Sequence, residues 1–193
     1  MELYFATTNK GKVDSVKRTL ADVGIEVKHI ELEMPEPQSH KLEKIAVEKV
    51  MFAYSKIKKP VIAMDSGFYL DAWPGFPGPY IKPVLETLGT SGILKLVEEE
   101  KRSCYFETAM AFMSKDLEEP KIFSSRANGE ITRELRGKPA EHHWSELYYV
   151  FIPEGEHRTL AEMSEEEYHE WRRRTRADYY LREFAQWLKE GKG

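Results

Sequence analysis

The sequence lacks the features that mark membrane, secreted and disulfide-stabilised proteins. Its 193 residues include one cysteine, Cys104, which excludes an internal disulfide and a cysteine-based zinc site. No run of about 18 apolar residues is present, so we expect no transmembrane helix. The N-terminus does not show the charged-then-apolar pattern of a secretory signal, so we expect a cytoplasmic protein that has no membrane partner.

A strong positive charge is also absent. The chain has 29 Lys plus Arg against 33 Asp plus Glu, which gives a formal net charge of -4 at pH 7. Because a basic surface drives sequence-independent binding to nucleic acid, we expect no nucleic acid partner. Apolar residues make up 41% of the chain, enough for a hydrophobic core. We find no linker or repeat, and we therefore interpret residues 1–193 as a single α/β domain.

The first thirty residues predict a β-α-β unit. Residues 2–6 form a short apolar run, and apolar side chains then recur at helical spacing at Val13, Val16, Leu20 and Val23. Gly24 is predicted to end this helix in a left-handed conformation. The alternation of apolar and polar residues over 25–30 indicates a half-buried strand.

The following segment predicts a second helix and a strand that is covered on both faces. The inward face of this helix is formed by Leu42, Ile45, Ala46, Lys49 and Ala53. Residues 61–64 form a continuous apolar run, which is typical of a buried strand. We expect this strand to deliver Asp65, Ser66 and Gly67 at its carboxyl end, and we expect a rigid loop over 75–80.

The rest of the chain predicts helices at both ends and strands between them. The first helix spans 81–100, with a break at Gly89. Strands follow over 104–112, 121–126 and 147–151, with a loop near residues 128–129. The last helix spans 164–189, with Ser164 as its N-cap and Glu167 completing a capping box.

The segment 8–12 lies between the first strand and the first helix and is a candidate phosphate site. It combines backbone N–H groups at a helix N-terminus with the small polar side chains of Thr8 and Asn9 and the ammonium groups of Lys10 and Lys12. Its spacing is not that of a Walker A loop. The alternative interpretation is an N-capped helix with solvated lysines.

Two carboxylates are candidates for binding a cation. Asp65 lies where ligands collect at the carboxyl ends of strands, and Gly67 leaves room for a close approach. A carboxylate at this place can hold Mg²⁺ or activate water, although it can also simply cap the next segment. Glu36 lies between two prolines that restrict its backbone, and the alternative is an exposed loop glutamate.

Two further groups of side chains favour structural interpretations. Arg172, Arg173, Arg174 and Arg176 follow the acidic residues of the same helix, so we expect an ion-paired helix face. The histidines lack the spacing of metal ligands and are interpreted as surface or loop residues, namely His142, His143 and His157.

In this order, the segments resemble the inosine triphosphate pyrophosphatase family, whose members hydrolyse non-canonical purine nucleoside triphosphates. The matching residues are 5–13, 35–38, 64–67, 75–82, 129–131, 136–137, 151–155 and 161–163. The resemblance implies an elongated mixed β-sheet flanked by helices, two lobes with a nucleotide-binding cleft between them, and a homodimer. It also implies an enzyme that uses Mg²⁺ to split a purine nucleoside triphosphate into the monophosphate and pyrophosphate.

The resemblance also implies roles for individual residues. Substrate contacts fall on Thr8, Asn9, Lys12, Ser66, Gly67 and Arg174. Glu36 and Asp65 would bind Mg²⁺. Asp65 and Lys12 would be catalytic, with Asp65 ordering the attacking water.

The chain departs from the family pattern in the segments that recognise the base. The family's Gly-Phe-Gly-Trp/Tyr-Asp-Pro stretch is replaced by residues 142–150, and Tyr148 falls at the aspartate position. On the last helix, the family's Lys-Asn-x-x-Ser-His-Arg corresponds to residues 168–174, and only Arg174 is kept. We therefore expect relaxed or altered base selectivity. A replacement stacking surface, or alternatively core packing, is expected from Trp144, Tyr148, Tyr168 and Trp171.

Two other functions compete with the enzyme. One is a nucleotide-binding descendant with weak or lost catalysis, and retention of Lys12, Glu36 and Asp65 argues against it. The other is nucleic acid binding through the arginine cluster, and the acidic residues on the same helix argue against that.

Overall fold

The fold is seen in a computed structural model that describes residues 2–141, 143, 145–175 and 177–191. His142, Trp144 and Arg176, for which the sequence suggested roles, lie outside these ranges. The chain divides into two compact units. Unit 1 consists of Met1–Ser66, Thr108–Ser125 and Ala177–Gly193, and unit 2 consists of Gly67–Glu107 and Arg126–Arg176.

The described residues form a seven-stranded sheet and five α-helices. The strands are β1 (Leu3–Ala6), β2 (Val27–Ile30), β3 (Val61–Leu70), β4 (Trp73–Gly78), β5 (Ser103–Met113), β6 (Lys121–Ile131) and β7 (Phe151–Pro153). The α-helices are α1 (Lys10–Ala21), α2 (Leu42–Ile57), α3 (Ile81–Leu96), α4 (Glu165–Arg174) and α5 (Tyr179–Lys189). Short 3₁₀ helices span Glu146–Tyr149 and Leu160–Glu162. None of the helices in the described ranges is long and apolar enough to cross a bilayer.

The sheet contains both parallel and antiparallel pairs. Its strand order is β2-β1-β3-β5-β6-β7, and β4 pairs with β3. The β1 strand is parallel to β2 and to β3, whereas β4 is antiparallel to β3 and β7 is antiparallel to β6. The expectation of a mixed sheet within an α/β fold is therefore confirmed.

Unit 1 is built around the predicted β-α-β segment. The helix spacing of the first segment places Val16 and Leu20 fully inside, against the strand residues Leu3 and Phe5. Gly24 has a φ of 80° and follows α1, as the left-handed cap predicts. The same core is completed from the chain's far end by the α5 side chains Tyr180, Leu181, Phe184 and Ala185.

Unit 2 contains packed aromatic rings and an arginine that bonds to three backbone carbonyls. Phe106 packs against Phe68 and Phe151, with ring centroids 4.9 and 4.8 Å apart. The Arg102 guanidinium donates hydrogen bonds to the backbone carbonyls of Val97, Ile131 and Thr132. This single side chain therefore satisfies three carbonyl oxygens and links the segment after α3 to the end of β6.

Two sequence predictions around β3 are wrong. Asp65 and Ser66 lie within β3 rather than at its end, since the strand continues to Leu70. The continuation is stabilised by pairing with β4, where a rigid loop was expected. The prolines of β4 lack an N–H donor, and an edge strand tolerates them because one of its sides needs no ladder partner.

The predicted last helix is two helices. Its chain becomes extended at Thr175, with φ −101° and ψ −176°, and the Thr175 N–H bonds to the Trp171 carbonyl to close α4. A new helix begins after Asp178, which is buried and accepts a hydrogen bond from Thr19. Continuous amphipathic spacing did not reveal this break, because it depends on a contact with distant α1.

Of three other predicted features, one is confirmed and two change. The break at Gly89 is confirmed by its φ of 63° within α3. The expected loop near 128–129 lies inside β6, where a Cβ on Gly129 would come within 2.3 Å of the Ile152 carbonyl oxygen. Glycine therefore permits β7 to approach. The predicted strand over 147–151 begins as a 3₁₀ helix that Ser145 caps.

The capping box at the start of α4 is confirmed. Ser164 Oγ accepts a hydrogen bond from the Glu167 N–H, and Glu167 Oε2 accepts one from the Ser164 N–H, at 3.2 and 2.8 Å. Hydrogen bonds from Arg158 and from the Ser164 backbone lower the pKa of Glu167 from 4.5 to about 2.

We expect Glu167→Gln to remove a pH-dependent part of the stability. Because the folded-state pKa of Glu167 is lowered, its contribution is present above pH 4.5 and is lost as the pH falls towards 2. Thermal unfolding from pH 7 down to pH 3 should therefore show a shallower loss of stability in Glu167→Gln than in the wild type. Glu166→Gln, in the same helical turn, serves as the control. Identical pH dependence in all three proteins would contradict the assignment.

Candidate active site

The first element of the site is the junction between β1 and α1. Asn9 is the N-cap of α1, and its Oδ1 accepts the Lys12 N–H at 3.1 Å. Thr7 Oγ1 accepts the Asn9 N–H at 3.1 Å. The first turn of α1 contains no acidic residue, and Thr8 and Asn9 are exposed. The positive end of the helix dipole is thus presented to solvent without an internal carboxylate, which suits an anion.

The second element joins the two predicted metal-binding carboxylates. The Lys49 Nζ lies 2.9 Å from Asp65 Oδ1 and 2.9 Å from Glu36 Oε2. Glu36 and Asp65 are far apart in the chain, but the structure brings both carboxylates into contact with the same ammonium group. The Lys49 side chain is 7% exposed and that of Asp65 is 16% exposed, whereas the Glu36 carboxylate is largely in solvent.

Lys49 is the site residue that sequence reasoning missed. It was predicted on the inward face of α2, together with Ile45 and Ala53, and all three are buried. A signal was nevertheless available. A lysine among apolar residues on a buried helix face needs a carboxylate partner, because an unpaired buried ammonium is costly.

The electrostatics link Lys12 to the same group of charges. Burial lowers the pKa of Lys49, but the nearby carboxylates of Asp65 and Glu36 outweigh burial, so its pKa lies above 10.5. For Lys12, burial dominates and lowers the pKa, against the attraction of Asp65. Part of the Lys12 side chain is still open to solvent. We call Lys12, Glu36, Lys49 and Asp65 the four-charge cluster, and all of it belongs to unit 1.

Ser66 and Gly67 follow the cluster on β3. The Ser66 hydroxyl is 3.0 Å from the Thr108 hydroxyl. A Cβ on Gly67 would lie 2.9 Å from the backbone of Gly78 and 3.0 Å from the Tyr69 ring. Close packing with β4 therefore explains this glycine, where the sequence suggested room for a ligand. Contact of Ser66 and Gly67 with substrate stays a prediction.

Arg172, Arg173 and Arg174 of α4 belong to unit 2, and the expected ion-paired helix face stays a prediction. Arg174 pairs with Glu156, which lies outside the helix. Arg172 is buried and donates a hydrogen bond to the Tyr168 hydroxyl at 2.8 Å. Tyr168 in turn lies 2.9 Å from the Tyr148 hydroxyl, and both rings are buried. These three side chains, in segments that the resemblance associates with base recognition, thus form a hydrogen-bonded cluster.

The remaining residues that the sequence singled out are His143, His157 and Trp171. The His143 ring packs against those of Tyr148 and Tyr149, and His157 is an exposed loop residue. Trp171 is buried against Tyr168. In the part of the chain that the structure describes, no three His, Cys, Asp or Glu residues are grouped so as to hold a metal.

Comparison with known proteins decides the family. The model described as the Ham1 family matches residues 3–187. The chain belongs to the Ham1 family. A Ham1 relative from Methanopyrus kandleri, named dITP/XTP pyrophosphatase, is 40% identical over 190 residues, which cover 98% of this chain and 97% of the relative. A protein of the same name from Thermococcus kodakarensis is 38% identical and covers 98% of each chain.

The fold of this Ham1 chain is shared with solved structures. A HAM1 protein from Coxiella burnetii superimposes with a TM-score of 0.77 at 24% identity, over 98% of this chain and 99% of that one. A nucleoside-triphosphatase, dITP/XTP pyrophosphatase, from Mycobacterium abscessus gives a TM-score of 0.73 at 24% identity, over 94% and 98%. The resemblance inferred from the sequence motifs is therefore confirmed for the family and for a mixed α/β fold.

We expect Lys49→Met to lower the free energy of unfolding by about 2 kcal/mol, because it leaves the Asp65 and Glu36 carboxylates facing each other without a cation. Lys44→Met changes an exposed lysine of the same helix, which lies 3.9 Å from Glu48, and should cost less than about 0.5 kcal/mol. Urea unfolding measures both values. Adding Asp65→Asn to Lys49→Met should cost less than the sum of the single changes. Equal costs for the two lysines, or strict additivity, would refute the coupling.

Proposed function

We propose that this Ham1 chain hydrolyses a non-canonical purine nucleoside triphosphate, of the inosine or xanthosine type, to the monophosphate and pyrophosphate. Near-full-length identity of 40% and 38% to relatives named dITP/XTP pyrophosphatases supports this substrate class. The observation that carries the proposal is the Lys49 ammonium group, which holds Glu36 and Asp65 together near the N-terminus of α1 and Lys12.

The chain's own groups suit each part of this reaction. The N-terminal end of the α1 dipole and the Lys12 ammonium attract the triphosphate and offset charge on the departing pyrophosphate oxygens. The Asp65 carboxylate accepts a hydrogen bond from Lys49 at Oδ1. Because a carboxylate has about four acceptor sites, it can also orient the water that attacks the α-phosphorus and accept its proton. The bond from this phosphorus to the bridging oxygen then breaks, and pyrophosphate leaves.

A divalent cation fits the donor set. Mg²⁺ is commonly held by one or two carboxylates, with water and substrate phosphates completing its coordination. Glu36 and Asp65 supply two hard oxygen ligands close together, and we assign them to Mg²⁺. When bound, the cation would neutralise charge that spreads over the phosphoryl oxygens.

The other expected contacts rest on the resemblance alone. They are the substrate contacts of Thr8, Asn9, Ser66, Gly67 and Arg174. The nucleotide-binding cleft between two lobes, the homodimer, the single domain over 1–193 and the cytoplasmic location likewise stay predictions.

The rebuilt cluster in unit 2 supports altered base selectivity. The Tyr168 hydroxyl bonds to Tyr148 and to Arg172. The resemblance implies that position 148 helps to hold the base and that the segment 168–174 recognises a purine 6-oxo group. A site that hydrogen-bonds a substrate oxygen rejects a base without that oxygen, because buried polar groups would lose their partner. When the protein's polar groups instead bond to each other, a base without that oxygen leaves none of them unpaired, and the free-energy cost of binding it falls.

We expect Asp65→Asn to lower kcat at least about 10²-fold while KM changes less than about threefold, because the carboxylate acts mainly in the transition state. Pyrophosphate release with Mg²⁺ across a nucleotide panel measures this, and Asp116→Asn, at an exposed turn of unit 1, is the control. Turnover that survives Asp65→Asn would contradict the mechanism. Tight nucleotide binding without turnover in the wild type would favour the alternative, a nucleotide-binding descendant.

We expect a weak preference among bases. The values of kcat/KM for inosine, xanthosine, adenosine and guanosine triphosphates should differ less than in an enzyme that hydrogen-bonds the 6-oxo group. A preference for inosine over adenosine triphosphate above about 10²-fold would contradict altered selectivity.

A further inference from the structure

We propose that His29 is a positioning residue for the phosphate-binding end of α1. Its Nε2 lies 2.8 Å from the carbonyl oxygen of Thr7, the residue between β1 and the predicted phosphate segment. Because a carbonyl oxygen can only accept, Nε2 carries the hydrogen. This role rests on the proposed function, since it concerns how that site is held, and neither the family likeness nor the sequence motifs assign it.

The Thr7 carbonyl needs this donor because of where β2 ends. In the parallel pair, Phe5 lies opposite His29 and Ala6 opposite Ile30, and the Thr7 N–H donates to the Ile30 carbonyl at 3.2 Å. The next ladder bond would run to the Thr7 carbonyl from a backbone N–H beyond Ile30, where the strand has ended. The His29 imidazole donates that hydrogen bond in place of a backbone N–H. Thr7 is buried, so an unsatisfied carbonyl there would be costly.

The contact is the first in a series of hydrogen bonds that reaches Lys12. His29 Nε2 donates to the Thr7 carbonyl, Thr7 Oγ1 accepts from the Asn9 N–H, and Asn9 Oδ1 accepts from the Lys12 N–H. The last two bonds are each 3.1 Å long. Together they determine where the first turn of α1 begins and the direction in which Lys12 leaves the helix.

Positioning matters because a phosphate held by several N–H groups requires them all at once. A displacement of about 1 Å can cost on the order of 10²-fold in rate even when it arises away from the reacting atoms. His29 itself lies on β2 and is partly buried. We therefore assign it no contact with substrate, and its effect passes through Thr7 and Asn9.

The test compares His29→Phe, which keeps a ring without a donor, with His29→Gln, whose amide nitrogen can still donate. Calorimetric titration with inorganic pyrophosphate probes the phosphate site without turnover. We expect His29→Phe to weaken pyrophosphate binding and to lower kcat/KM by about tenfold each, and His29→Gln to stay within about threefold of the wild type. His157→Phe, on an exposed loop of unit 2, is the control and should not change either value.

Thr7→Val provides a second variant if His29→Phe fails to fold, since it removes the Oγ1 acceptor at similar volume and should weaken pyrophosphate binding in the same way. Loss of thermal stability with unchanged pyrophosphate affinity, or a His29→Gln variant as impaired as His29→Phe, would overturn the proposal. Absence of nucleotide hydrolysis in the wild type would refute the proposed function, while the pyrophosphate titrations would still decide the role of His29.

Discussion

One ammonium group between two carboxylates is the contact on which the candidate site depends. Lys49 brings a positive charge into the interior on the inward face of α2, and it is stable there because Asp65 and Glu36 accept from it. Without it, two negative groups would lie side by side and repel. The buried strand residues of β3 and the apolar face of α2 therefore serve to hold a charged cluster of defined geometry.

Local patterns predicted those parts of the fold that local forces determine. The β-α-β start, the Gly24 cap, the break at Gly89 and the capping box at Ser164 are each set by residues within a few positions of one another. The predictions that were wrong concern elements whose structure depends on residues elsewhere in the chain. The extension of β3 depends on pairing with β4, and the division of the last helix depends on a contact between Asp178 and Thr19.

The site shows the same contrast. Residue type and order indicated that Glu36 and Asp65 belong together, but not what holds them. The sequence pattern placed Lys49 on the inward face of α2 but did not indicate its role, because most lysines on amphipathic helices extend into solvent. Gly67 was interpreted through ligand access, whereas Gly78 of β4 occupies that space. In unit 2, burial of Tyr148 and Tyr168 agrees with core packing. Arg172 reaches Tyr168 from one helical turn away, but the pair of tyrosine hydroxyls joins residues that no local pattern connects.

The most direct test of the four-charge cluster is a crystal structure with Mn²⁺ and a non-hydrolysable nucleoside triphosphate analogue, in which anomalous scattering locates the metal. The account predicts a peak about 2.2 Å from oxygen atoms of both Glu36 and Asp65, with the phosphates at the N-terminus of α1 and near Lys12. A peak on other residues, or phosphates away from α1, would contradict it.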